Sequence, residues 1–241
     1  MAVDFRRDSV RSPIVWDVLS EVVSARVAAT GRPALDIVDV GGGTGGLAVP
    51  FAALGHNVTV VDPSPDALAA AQRRAAEADA RLTSVQGEAA SLDSLVGPGA
   101  ADLVICHNVL EYVEEPADAM SAIARVLRPS AAVSVIASNA IAAILHRALA
   151  GRFAEARRLL ADTAACTPRR FTLPELIALI ERAGLRAGEA HGLRIFGGLV
   201  PGALLEGDVA AAEALRALEE AAASVPPLRD IAARLHVLAH R

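Results

Sequence analysis

Leu35-Asp36-Ile37-Val38-Asp39-Val40-Gly41-Gly42-Gly43-Thr44-Gly45-Gly46 governs how the rest of the chain is read. The first six residues form an apolar run continuous enough for a strand buried on both faces, as in a parallel sheet covered by helices. Glycines then break the run, and helical spacing resumes over residues 47–54. A strand feeding a helix through glycines lets the backbone turn sharply and approach a ligand with no Cβ in the way. An ordinary turn has the same glycines, so the surroundings must decide.

Residues 58–62 read as a second β-branched strand ending on Asp62. That position, about 20 residues on, is where an acidic side chain accepts hydrogen bonds from a ribose diol. Ser64 is placed to cap, and Pro65 to open, a helix running to about residue 80. Upstream, residues 14–29 form an amphipathic helix ended by Gly31 and Pro33. Downstream, strands at 82–86, 101–106 and 132–137 alternate with a weak helix and a helix at 116–127. Five strands alternating with helices imply a parallel sheet with right-handed crossovers. The rhythm then changes: residues 141–165 read as two helices without a strand between them. A helix at 174–182, strand-like 185–196, a helix at 208–224 and extended 231–240 follow. No repeat or linker divides the chain.

The composition excludes several function classes. Hydrophobic residues make up 53%, which rules out a solvated disordered chain. Aromatics at 3% argue against a stacking platform for single-stranded nucleic acid. A net charge of −5, without a block of like charges, is not the footprint of a non-specific nucleic-acid binder. Cys106 and Cys166 have neither CxxC spacing nor metal-ligand company, so no metal is expected. With no apolar signal region and no run of membrane length, a soluble cytoplasmic protein is expected.

Two ligands suit the glycine turn. Gly41, Gly43 and Gly46 match the spacing of a dinucleotide fingerprint. The context Asp-Val-Gly-Gly-Gly-Thr-Gly resembles instead the first motif of class I S-adenosylmethionine-dependent methyltransferases. Gln86-Gly87-Glu88-Ala89 and Cys106-His107-Asn108-Val109-Leu110-Glu111-Tyr112-Val113, followed by Leu127-Arg128-Pro129, resemble later motifs of that family. The resemblance implies a Rossmann-like α/β fold: a seven-stranded, mostly parallel sheet with an antiparallel C-terminal hairpin and a helical insertion after strand five. It implies one domain over 1–241, with an N-terminal helical region (1–33), a cofactor-binding core (34–140), a helical cap (141–170) and a C-terminal helix-strand region (171–241). It also implies S-adenosylmethionine as cofactor, with Asp39 orienting the methionine ammonium, Gly41, Gly42 and Gly43 passing beside the cofactor and Asp62 holding the ribose. Pro63 would border adenine, Glu88 and Ala89 would read its edge, Arg11 would meet the methionine carboxylate, and His107 would lie beside the site.

A narrower likeness runs from Arg11-Ser12-Pro13-Ile14-Val15-Trp16 through Ser138-Asn139-Ala140, Leu149-Ala150-Gly151-Arg152-Phe153 and Gly192-Leu193-Arg194-Ile195-Phe196 to Ala233-Arg234-Leu235-His236-Val237. These blocks resemble, in order, the bacterial tRNA wobble-uridine 5-oxyacetic acid methyltransferases, which form a carboxymethyl ester. On that likeness Arg194 and Arg234 are the candidates to clamp an acceptor carboxylate, and His107 lines the acceptor pocket or serves as base. Tyr112, Asn139, Arg169 and Arg170 are candidates to touch tRNA. For Arg194 and Arg234, a solvent-facing edge hairpin explains the residues as well; Asn139 by default caps a helix. A carboxylate acceptor is already ionised at neutral pH and needs no base. The rivals are a small-molecule methyltransferase acting on a carboxylate or acidic hydroxyl, and a cofactor-binding module without catalysis.

Overall fold

The computed structural model describes residues 13–163, 166–201, 204 and 209–241. Its strands are β1 (Asp36–Val40), β2 (Asn57–Asp62), β3 (Leu82–Gln86), β4 (Ala101–His107), β5 (Leu127–Ser138), β6 (Arg186–Leu193) and β7 (Arg234–His240). They form one seven-stranded sheet in the order β3-β2-β1-β4-β5-β7-β6. β1 pairs parallel with β2 and β4, and β2 with β3. β7 runs against its neighbours: Asn139 N–H donates to Ala233 O, and Arg241 N–H to Ala131 O. The sheet is therefore mostly parallel with antiparallel C-terminal strands, and the fold is Rossmann-like α/β.

The described residues fall into two compact units. One lies within Met1–Val135, Leu179–Gly188 and Leu238–Arg241, the other within Ile136–Ala178 and Glu189–Val237.

In the first unit, helices α1 (Pro13–Thr30), α2 (Ala48–Ala53), α3 (Pro65–Glu77), α4 (Leu92–Val96) and α5 (Pro116–Val126) accompany the strands. The central strands are apolar because both faces are covered: β1 is buried after its first residue, and β4 until its last. Ser64 caps α3, its side chain accepting from Ala67 N–H at 3.3 Å, and Pro65 opens the helix. α3 turns Leu68, Ala71 and Ala75 inward, and α5 does the same with Ala119, Met120, Ile123 and Val126. α1 packs through Trp16, stacked on Phe51 with centroids 4.9 Å apart.

At the amino ends of β1 and β4, Asp102 is buried among arginines. It accepts from Arg26 Nε at 3.2 Å, Arg32 Nη1 at 2.7 Å and Arg128 Nη1 at 2.8 Å. Asp36 shares Arg32 and Arg128, at 2.6 and 3.0 Å.

The second unit holds α6 (Ala140–Leu149), α7 (Phe153–Ala161), α9 (Val209–Ala222), α10 (Pro226–Arg229) and the start of α8 (Leu173–Arg182). Ala143, Leu159 and Cys166 form one small core there, and Ile195, Ala222 and Ala232 another. Thr172 and Glu175 form a reciprocal capping box at α8: Thr172 N–H donates to Glu175 Oε2 at 2.7 Å, and Glu175 N–H to Thr172 Oγ1 at 3.4 Å.

Four boundaries differ from expectation. Strand five begins at Leu127, directly from α5, and passes through Ser130 at φ 59°. The stretch after β3 holds a 3₁₀ turn at Ala89–Ser91 before α4. β6 stops at Leu193, where Arg194 turns to φ 57°. Residues expected to be extended before Arg234 are preceded by α10, opened by two prolines.

Candidate active site

The glycine turn is shaped from inside the first unit. Gly41 N–H donates to Val61 O at 2.7 Å, which bends the chain out of β1 toward the end of β2. Gly41 and Gly43 have φ of 63° and 53°, a region side chains disfavour. A Cβ on Gly41 would lie 2.4 Å from Val109 Cγ2, so the loop after β4 sits directly on this glycine. A Cβ on Gly42 would lie 2.7 Å from the Asp39 carboxylate. On Gly43 the nearest atom among the described residues would be its own loop's Gly41 O at 4.0 Å, so that side of the turn is open to them.

Asp62 ties the turn to β2 and β3. One carboxylate oxygen accepts from Gly43 N–H and the other from Ser64 N–H, both at 2.9 Å. Its carbonyl accepts from Gly87 N–H at 3.2 Å, which brings the residues before Glu88 and Ala89 to the same edge. Glu88 and Pro63 are exposed there, and Ala89 is buried. Each Asp62 oxygen keeps a lone pair for a further donor such as a ribose hydroxyl.

Asp39 is buried and has no cationic partner among the described residues. Burial pushes its carboxyl up to about 7; a backbone hydrogen bond from Ala48 opposes the shift, and the nearby Asp62 charge adds to it. Burial, with Glu111 and Asp39 adding, also raises the Cys106 thiol, which is therefore inert at neutral pH.

His107 ends β4, half-buried, with Nε2 2.7 Å from Ser134 Oγ in a hydrogen bond. Asn108 follows at φ 57°, with its side-chain Oδ1 buried and unpartnered. Ser134 was not singled out from the sequence. The signal for it was one hydroxyl in the otherwise apolar run of residues 132–137, since a buried hydroxyl needs a partner. Tyr112 is 75% exposed.

Within the second unit, Arg194 and Arg234 come together. Ala233 N–H donates to Arg194 O at 3.2 Å, so the two arginines flank one β6–β7 junction. Both are exposed. Neither guanidinium has an ion-pair partner among the described residues. Asn139 is wholly buried and caps α6: its Oδ1 accepts from Ile141 N–H at 2.9 Å, while Nδ2 donates to Asp230 O at 2.9 Å and Ala232 O at 2.8 Å. Both amide hydrogens are thereby taken up by the fold. Arg169 is exposed and Arg170 half-buried. Arg11 lies outside the described residues.

The sequence matches a methyltransferase domain family over residues 38–135. Over 154 residues it is 31% identical to the tRNA 5-carboxymethoxyuridine methyltransferase of Escherichia coli K12, covering 61% of this chain and 55% of that protein. Over 178 residues it is 32% identical to the ubiquinone biosynthesis O-methyltransferase of Xanthomonas euvesicatoria, covering 72% of this chain and 70% of that protein. The chain belongs to the class I S-adenosylmethionine-dependent methyltransferases. The chain spans about half the length of the first curated relatives it matches. A solved magnesium protoporphyrin IX methyltransferase from Synechocystis PCC 6803, holding SAH, shares the fold at TM-score 0.58 and 18% identity, over 92% of this chain and 82% of that one.

The cofactor of this methyltransferase family is S-adenosylmethionine, and the residues present suit it. The open side of Gly43 leaves room beside the turn, Asp62 has acceptors left for the ribose, and Asp39 is a buried acid lacking a cation among the described residues. Among the described residues, no group of three or more His, Cys, Asp or Glu is placed to hold a metal, and no helix is long and apolar enough to cross a membrane.

Proposed function

We propose that this chain methylates a carboxylate, the 5-oxyacetate of a tRNA wobble uridine, position 34, to its methyl ester. The observation that carries the reading is the pair Arg194 and Arg234, exposed at one strand junction and without carboxylate partners of their own among the described residues. Arginine's planar fork suits a carboxylate, which it aligns while leaving one oxygen to react.

Bound S-adenosylmethionine supplies a methyl group on a sulfonium, which the acceptor oxygen takes as the carbon–sulfur bond breaks, leaving a neutral thioether and an ester. The carboxylate is already ionised, so no proton has to move. The protein's task is alignment. Asp62 holds the ribose, Asp39 faces the ammonium, and the turn through Gly41, Gly42 and Gly43 lets the main chain lie against the cofactor. Pro63, Glu88 and Ala89 border the base. His107, held by Ser134, lines the reacting end; for a 5-hydroxyl acceptor, giving 5-methoxyuridine, it is the candidate base. Tyr112, Arg169 and Arg170 are the proposed tRNA contacts, and the protein would work in the cytoplasm.

Similarity to the tRNA methyltransferase supports this reading. Similarity to the ubiquinone O-methyltransferase, which covers more of the chain, supports a second one, a small-molecule carboxylate or acidic hydroxyl as acceptor.

The test is nucleoside mass spectrometry of tRNA carrying 5-carboxymethoxyuridine after incubation with the protein and S-adenosylmethionine. The methyl ester is expected. An unchanged nucleoside, with a polyprenylated phenol methylated instead, would favour the second reading. If calorimetry detects no uptake of S-adenosylmethionine, both fall. With tRNA, binding should weaken steeply as salt rises, and further on replacing Arg169 and Arg170 with alanine.

A further inference from the structure

The residues after Arg194 make an unusual contact with α9. Ile195 N–H donates to Glu219 Oε2 at 2.7 Å, and Phe196 and Gly197 N–H donate to Glu219 Oε1 at 2.8 and 2.7 Å. Three consecutive backbone N–H groups converging on one point form a concavity of the kind that binds anions. Here the anion comes from the chain itself. No arginine faces the Glu219 carboxylate among the described residues, so its charge is met by these three short, charge-assisted hydrogen bonds.

The neighbouring geometry shows what the contact holds. Arg194 sits at φ 57°, the left-handed region, which a residue with a Cβ adopts only where its surroundings impose it. On its carboxyl side stands the Glu219 clamp. On its amino side, Gly192 N–H donates to Ala223 O at 2.8 Å, at the end of the same helix. A Cβ on Gly192 would lie 2.7 Å from Arg229 Cα, so the strand end is pressed against α10 as well. Ile195 is buried against Ala222 and Ala232. Gly192, Ile195, Phe196 and Gly197 are all held, while the Arg194 guanidinium is exposed and forms no ion pair among the described residues.

We infer that Glu219 is the positioning residue for Arg194: by filling the 195–197 concavity, it fixes the left-handed turn that aims the guanidinium at the acceptor. The inference rests on the carboxylate-clamp reading and adds the residue that makes the clamp rigid. Glu219 touches neither acceptor nor cofactor and acts only through Arg194. A clamp on a freely turning residue would lose most of its alignment.

The test is a double-mutant cycle on tRNA carrying 5-carboxymethoxyuridine, with Arg194→Ala, Glu219→Gln and the pair. A glutamine at 219 keeps the size but turns an amide N–H₂ toward one of the three donors. Glu219→Gln should lower kcat by about 10-fold with unchanged S-adenosylmethionine affinity, and should add nothing once Arg194 is alanine. Independently of any acceptor, amide hydrogen exchange at Ile195, Phe196 and Gly197 should quicken in Glu219→Gln with the remaining amides unchanged.

Normal kcat in Arg194→Ala would remove the clamp reading itself. A damaged Arg194→Ala beside a normal Glu219→Gln would overturn the positioning role. So would effects that multiply in the pair, or exchange at 195–197 that stays slow. Should wild-type protein leave this tRNA unmethylated, the substrate reading fails, and the exchange experiment still decides whether Glu219 holds the turn.

Discussion

All the basic residues of this chain are arginines, and two groups of them live in opposite circumstances. Arg26, Arg32 and Arg128 converge on the buried Asp102, two of them also reaching Asp36. Arg194 and Arg234 flank a strand junction and form no ion pair among the described residues. The acids divide the same way. Asp102 has three cations around it, whereas Asp39, equally buried, has none among the described residues. Charges matched within the chain belong to the architecture. Charges held in place but unmatched mark where a ligand of opposite sign is expected.

Mutations should separate the two kinds. The largest effect belongs to Asp102→Asn, which leaves three guanidinium groups around a neutral amide; unfolding in urea should show a loss of about 3–5 kcal/mol. A loss below about 1 kcal/mol would mean that the cluster is solvated and the contrast illusory. Next comes Arg194→Ala, expected to lower turnover by about 10², or about 2.7 kcal/mol of transition-state positioning, with an unaltered melting temperature. A variant that melts early yet turns over normally would move Arg194 into the architectural group.

Asp39 sharpens the comparison through pH. Its folded-state carboxyl, raised to about 7 from 3.8, holds a proton that the unfolded chain releases. The contribution of Asp39 to the stability of the ligand-free protein is therefore fully present below about pH 4 and falls toward pH 7, by at most about 1.4 kcal/mol per pH unit. Asp39→Asn should flatten that slope in thermal melts from pH 4.5 to 7.5, and should weaken S-adenosylmethionine binding in calorimetry at pH 8. A slope unchanged in the variant would show that another group titrates. A smaller effect belongs to Arg128→Gln, about 1 kcal/mol by urea unfolding, because Arg26 and Arg32 still serve Asp102. Arg234→Gln should leave unfolding untouched.

Much of the first unit was legible because its signals are local. The glycine turn, Asp39, Asp62 and the Ser64-Pro65 helix start lie within 27 residues of one another, and the strands at their side announce themselves as apolar runs. The Asp102 cluster was not legible: its arginines lie 76, 70 and 26 positions away, and no period links them. Glu219 was hidden for a similar reason, since its partners are backbone N–H groups, which every sequence possesses. The fifth strand was expected from residue 132, where the apolar run starts, yet β5 begins five residues earlier, at Leu127. Asn139 read by default as a helix cap, with a ligand contact as the alternative, and the three hydrogen bonds on its amide show the cap.

Gly41 and Gly43 look alike in the sequence but answer to different masters. Val109 occupies the place of a Gly41 side chain, whereas beside Gly43 none of the described residues comes closer than Gly41 O at 4.0 Å. A descendant that abandoned its nucleoside would still have to keep Gly41, or the loop after β4 would be dislodged. At position 43 it could drift to asparagine, which tolerates the left-handed bend. The identity of residue 43 across such descendants would thus record whether the site is still in use, and residue 41 would record nothing but the fold.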